Sequence, residues 1–133
     1  MLVVVDTNIL VSALINPGGV PARVVEEIRA QTLRPLVCRE ILDEYREVLT
    51  RARFRFSSSL VESLLDDLAA LALHLQPVPV NIEQLPDPDD APFIALALAA
   101  ACPIVTGNGR HFPPECGVEV LTPGQCLTRL FTE

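Results

Sequence analysis

Two periods of apolar residues alternate along the chain. Residues 2–5, Leu-Val-Val-Val, are a short, largely β-branched apolar run, which predicts a buried strand. The run stops at Asp6-Thr7-Asn8, after which Ile9, Leu10, Ala13 and Leu14 recur at helical spacing. Asn16-Pro17-Gly18-Gly19 predicts a turn. Pro21 then stands where a second helix would begin, with Val24, Val25 and Ile28 along its buried face. Residues 35–38 predict a second strand, and 39–49 an amphipathic helix with Ile41, Leu42, Tyr45, Val48 and Leu49 on one side. Ser59-Leu60-Val61-Glu62 has the spacing of a capping box and predicts a helix running to about residue 73. A third strand is expected over 75–80 and a proline–aspartate loop over 86–90. Residues 91–101 are apolar all round, which predicts a helix buried on several sides. Strands over 103–106 and 118–121 and a closing helix over 123–130 complete the pattern.

Strands alternating with helices imply an α/β fold with a short, mainly parallel central sheet flanked by helices. At 133 residues, with no repeat, low-complexity tract or linker, residues 1–133 read as one domain. Half the residues are apolar, enough for a core without disulfides. The net charge of −7 repels free nucleic acid, so chemistry on nucleic acid would need a local site with cations to offset the acids. All ten basic residues are arginine. The cysteines, Cys38, Cys102, Cys116 and Cys126, match no metal or redox spacing and read as reduced thiols. The N-terminus has no basic segment ahead of a long apolar one, and the longest nearly uncharged stretch, 91–103, is too short to span a bilayer. The expectation is a cytoplasmic protein with no membrane association.

In open parallel sheets, sites form beyond the carboxyl ends of the strands. Asp6 stands at such an end and Asn108 two residues beyond another, while Asp90 precedes the apolar helix. Carboxylates converging there suit a hard divalent cation, which takes oxygen ligands and makes bound water a usable nucleophile. Each acid also has a plainer role open to it. Asp6 or Asp90 could cap the helix that follows. On a helical wheel Glu44 flanks the apolar face centred on Tyr45, while Asp43 and Glu47 point away; Glu44 is thus the acid best placed to reach inward, or a solvated acid at that edge.

Four segments, in order, resemble the PIN-domain family, specifically the toxin components of prokaryotic toxin–antitoxin pairs. They are residues 3–14 (VVVDTNILVSAL), 41–49 (ILDEYREVL), 87–97 (DPDDAPFIALA) and 104–112 (IVTGNGRHF). The resemblance implies a compact α/β domain whose acidic pocket holds Mg²⁺ or Mn²⁺ and hydrolyses RNA phosphodiesters. It carries metal-binding or catalytic roles onto Asp6, Glu44 and Asp90, and places Asn8, Ser12 and Thr106 at the pocket's border. It also implies a cognate antitoxin and a homodimer. Many PIN domains have an aspartate where this chain has Asn108. An amide oxygen can ligate a metal or a bound water but adds no charge, which argues against a second tightly held ion. An alternative is therefore a non-catalytic module that binds antitoxin or RNA.

Arg51, Arg53 and Arg55 alternate with Phe54 and Phe56, a pattern that can hold single-stranded RNA by charge and stacking. The favoured reading is a helix end whose arginines suit the macrodipole and whose phenylalanines pack inward. His111, beside Phe112-Pro113-Pro114, reads as structural rather than as a phosphate-positioning group, and His74 has no assigned role. A phosphohydrolase with an aspartate after its first strand would need a second one at residue 8, which is Asn8, and a lysine. The absence of lysine also excludes a P-loop and a phospho-receiver, and no G-x-G-x-x-G is present.

Overall fold

Strand β1 (Leu2–Val5) occupies the middle of a five-stranded parallel sheet. The structure, a computed structural model, describes residues 1–77, 85 and 87–132. Strands β2 (Arg34–Val37), β3 (Leu73–His74), β4 (Ile104–Val105) and β5 (Val120–Leu121) complete the sheet in the order β3-β2-β1-β4-β5. Val3, Val4 and Val5 are fully buried, as an interior strand covered on both faces requires. β1 pairs with β2 through Leu2 opposite Arg34, and with β4 through Val5 opposite Val105. Strand order therefore reverses at β1, and the crevice beyond the ends of β1 and β4 is the topological switch point.

The helices are α1 (Thr7–Ile15), α2 (Val20–Arg29), α3 (Arg39–Leu49), α4 (Ser58–Leu71), α5 (Ala91–Ala100) and α6 (Pro123–Thr132). Helix α1 packs on α2 and α3, and α5 packs on β1 and β4. The face of α3 predicted to be apolar is buried at Ile41, Tyr45 and Leu49. Pro35 is tolerated inside the sheet because β3 begins only opposite Leu36, leaving that position no strand to donate to on the far side.

Several expectations need correction. The third strand is Leu73–His74, earlier than the predicted 75–80, of which residues 78–80 lie outside the described residues. Its register is set by β2, where Leu36 faces Leu73. After that Leu75 gives one hydrogen bond to Val37, and Pro77 has no N–H with which to extend a ladder. The capping box does not form. Ser57 takes the N-cap position without a side-chain bond to the helix backbone, and Glu62 instead pairs with Arg46 of α3. Residues Pro88–Asp90 make a 3₁₀ turn inside the predicted loop. Helix α5 is buried from Phe93 to Ala97, but Leu98 is exposed. Cys38, Cys102 and Cys126 are buried free thiols, and Cys116 is a half-buried one. No helix among the described residues is long and apolar enough to cross a membrane.

Candidate active site

Chain direction brings the first two polar side chains together. β1 ends at Asp6, whose N–H bonds to the carbonyl of Val105, so the positions following β1 and β4 are adjacent. Asp6 is the N-cap of α1, with Oδ1 accepting from the Thr7 N–H at 2.8 Å. Its Oδ2 accepts from Thr106 Oγ1 at 2.7 Å and from Asn8 Nδ2 at 3.2 Å. The Thr106 hydroxyl also accepts from Asn8 Nδ2 at 3.2 Å and from the Asn108 N–H at 3.0 Å, which exhausts its bonding capacity. Asn8 Oδ1 takes the Gly107 N–H at 3.1 Å. Asp6, Asn8, Thr106 and the turn at Asn108 thus form one network, and capping and site roles coincide at Asp6. Burial raises the Asp6 carboxyl above its ordinary range, opposed by the hydrogen bonds from Thr106 and Thr7.

Glu44 enters from α3. Its Oε2 accepts from Thr7 Oγ1 at 2.5 Å, a link across 37 residues. The Glu44 carboxyl is raised by burial, lowered by the Thr7 bond, and raised again by Asp6, Asp89 and Asp87. The position of α3 is set by its next residue, since the buried Tyr45 hydroxyl donates to the Val5 carbonyl at 2.5 Å. The Tyr45 ring also lies 6.2 Å from that of Phe93 on α5, tying the helix that carries Glu44 to the helix that follows Asp90.

Asp90 is buried at the end of the 3₁₀ turn, with helical backbone angles and no capping bond, so the simple N-cap reading fails there. Its Oδ2 is the one buried side-chain polar atom without a hydrogen-bond partner among the described residues. Its carboxyl is pushed up to about 7, first by burial and then by Asp6, Asp87, Glu44 and Asp89. A buried carboxylate oxygen without a donor, among acids that repel it, is what a hard cation satisfies. The donor chemistry therefore fits Mg²⁺ or Mn²⁺. Among the described residues no three His, Cys, Asp or Glu side chains meet at metal-ligand spacing, so the acids share a neighbourhood and not yet a coordination point.

His111, which the sequence reading made structural, stands in this group. Its Nδ1 is 3.9 Å from Asp90 Oδ2, and its Nε2 is 3.1 Å from the Asn108 amide nitrogen. The 3.9 Å contact is too long for a hydrogen bond, so His111 leaves Asp90 Oδ2 without a donor. Thr7 and Tyr45 were also missed as site residues. Thr7 lies between two residues that the sequence reading selected, which was the only cue to it. Ser12, one turn beyond Asn8, is half-buried and makes no side-chain hydrogen bond among the described residues.

Arg51, Arg53 and Arg55 lie outside this network. Helix α3 stops at Leu49, and Arg53 and Arg55 fall on and after a 3₁₀ turn, Ala52–Phe54, so neither serves the helix end as expected. Arg51 pairs with Glu47 at 2.8 Å. Arg53 lies over the Phe54 ring at 4.9 Å.

Known proteins resemble this chain in sequence or in fold. An uncharacterized protein of Methanocaldococcus jannaschii is 28% identical over 109 residues, covering 80% of this chain and 70% of the relative. The crystal structure of a Pyrobaculum aerophilum protein covers 100% of both chains at a TM-score of 0.63 with 15% identity, a likeness of fold alone. The profile of the PIN domain family matches residues 2–110, a span that includes Asp6, Glu44, Asp90 and Asn108. The chain therefore belongs to the PIN domain family, whose members are generally nucleases that bind divalent metal ions.

Proposed function

We propose that this protein is a metal-dependent endoribonuclease acting as the toxin of a toxin–antitoxin pair, held in check by a cognate antitoxin and working as a homodimer. The observation that carries the catalytic part is the orphaned Asp90 Oδ2, buried among acids at the switch point between β1 and β4. The toxin, antitoxin and dimer parts rest on the sequence resemblance.

In this reading Asp6 and Asp90 would hold the ion, and Asn108 would offer a neutral oxygen directly or through water. A bound Mg²⁺ or Mn²⁺ would supply charge against the phosphate oxygens and make water a usable nucleophile. Thr106 and Asn8 fix Asp6 Oδ2, so that this carboxylate does not swing away. Glu44 orients the attacking water and takes its proton on Oε1, since Oε2 is held by Thr7. Burial raises its carboxyl above the ordinary range, which makes it a stronger base than an exposed glutamate. His111, through its contact with the Asn108 amide, keeps the amide oxygen turned away from itself.

Asn108 favours a second reading, a non-catalytic module that binds antitoxin or RNA, because the position lacks the negative charge that many PIN domains carry there. Turnover separates the two. Purified, antitoxin-free protein should cleave single-stranded RNA in Mn²⁺, and neither the Asp6→Asn variant nor protein in EDTA should do so. Cleavage retained by a folded Asp6→Asn variant sinks the assignment. No cleavage of several RNAs by the native chain favours the binding module.

A further inference from the structure

The segment after α3 is locally basic in an acidic protein. Between Arg46 and Glu62 four arginines face two glutamates, while the whole chain carries −7. Both glutamates are already engaged, Glu47 with Arg51 and Glu62 with Arg46. Arg53 and Arg55 are exposed, and neither has a carboxylate partner among the described residues. Phe54 and Phe56, which alternate with them, form a flat aromatic stack. The Phe54 and Phe56 rings are 5.2 Å apart and tilted by only 6°, and the Arg53 guanidinium covers Phe54. Phe56 packs against the core, which anchors the stack. The backbone turns sharply at Arg55, whose φ is 53°, and Arg55 lines a cleft of about 180 Å³ with Thr50, Arg51, Phe56 and Ser58.

Charge without a carboxylate partner beside a stack of flat groups is the chemistry that holds an unpaired strand, in which phosphates meet guanidinium groups and bases stack on aromatic or guanidinium planes. A duplex offers its phosphates but keeps its base faces covered. We propose that Arg53, Phe54, Arg55 and Phe56 form a binding site for single-stranded RNA outside the acidic pocket, Arg53 and Arg55 meeting phosphates and the Arg53–Phe54–Phe56 stack receiving a base. The choice of RNA rests on the ribonuclease reading above. Position agrees with it, since α3 carries both Glu44 and the start of the basic segment. Glu44 lies on α3 five residues before its end at Leu49, about 7–8 Å along the helix, and it is close enough to act on the charge of Arg51 just beyond that end. A strand of a few nucleotides covers such a distance. Basic groups here draw the strand toward an acidic centre that would otherwise repel it.

The test measures binding without turnover. The native full chain, in EDTA, is titrated against a short unstructured fluorescent oligoribonucleotide and against a hairpin of the same length, across a salt series. The native chain should prefer the unpaired strand. Arg53→Ala/Arg55→Ala should weaken binding about tenfold or more and make log Kd against log salt shallower by about 0.7 for each arginine removed. Phe54→Leu, which keeps an apolar side chain in place, should weaken binding severalfold without the change in slope; it supplies a second reading should the arginine variant prove unstable. Unchanged Kd and slope in folded variants, no RNA binding by the native chain, or tighter binding of an acidic peptide at the same arginines would each overturn the proposal. Arginine-dependent RNA binding by a protein that cleaves nothing in Mn²⁺ would uphold this site and sink the ribonuclease reading. Cleavage with RNA affinity indifferent to Arg53 and Arg55 would do the reverse.

Discussion

The Tyr45 hydroxyl donates to the Val5 carbonyl at 2.5 Å, and each of these residues stands immediately beside a site acid, Tyr45 next to Glu44 and Val5 next to Asp6. One buried bond thus registers the helix carrying one acid against the strand delivering the other. Burial holds the Tyr45 phenol well above its ordinary pKa, which favours the protonated, donating form. Tyr45→Phe should cost about 1–2 kcal/mol of stability, the usual loss for a buried carbonyl deprived of a donor. Cleavage should fall further than folding does, because Glu44 loses its registration. Denaturant titration alongside RNA cleavage checks this; full activity in a destabilised variant would show that α3 is placed by packing alone.

Thr7 holds Glu44 Oε2 from the first turn of α1. Thr7→Val keeps the branched shape and the Thr7 backbone N–H that Asp6 caps, and removes only the hydroxyl. The expected result is a loss of cleavage of about tenfold to a hundredfold, part of what a positioned base contributes, with a stability change of about 1 kcal/mol. Single-turnover cleavage rates measure it, and a rate equal to that of the native chain would remove Thr7 from the mechanism.

The pocket should also govern stability against pH in metal-free protein. The Asp90 carboxyl rises from an ordinary 3.8 to about 7, so the folded state binds its proton more tightly than the unfolded state does. That contribution is complete below pH 3.8 and is lost as pH climbs through about 7. Asp90→Asn cannot ionise, so relative to the native chain it should gain stability steadily between those limits and show a constant difference outside them. Thermal melts of both chains in EDTA across this range give the comparison. Added Mn²⁺ should cancel the native chain's loss, because the ion favours the ionised carboxyl. A difference that is flat with pH would mean that Asp90 is solvated.

Asn108 offers an opposite test. Asn108→Asp adds a carboxylate beside His111 and Thr106. Divalent-cation affinity should rise on the order of tenfold with the extra charged oxygen, and metal-free stability at neutral pH should fall because another acid joins the cluster. Calorimetric titration with Mn²⁺ measures the first and melting in EDTA the second. Unchanged affinity would place residue 108 outside the ion's reach.

Much of this was legible along the chain, because periodicity and punctuation are local properties. The apolar run ahead of Asp6, the amphipathic face of α3 and the apolar run of α5 needed no tertiary information to be read. Glu44 was selected over Asp43 and Glu47 by angle alone, and it is the half-buried one while the other two are exposed. The capping box failed because Arg46, on another helix, took Glu62. The third strand shifted because an edge strand's register belongs to its neighbour.

The sequence by itself determined the α/β alternation, the apolar core and the acids standing at strand and helix ends, since each depends on residues a few positions apart. Only the tertiary structure decided which groups would meet: Thr7 with Glu44, His111 with Asp90, Tyr45 with Val5. Those partners lie from 21 to 40 residues apart in the chain. Their contact depends on how the helices pack over the sheet, and so does the isolation of Asp90 Oδ2, which follows from where donors are missing once the chain has closed around it.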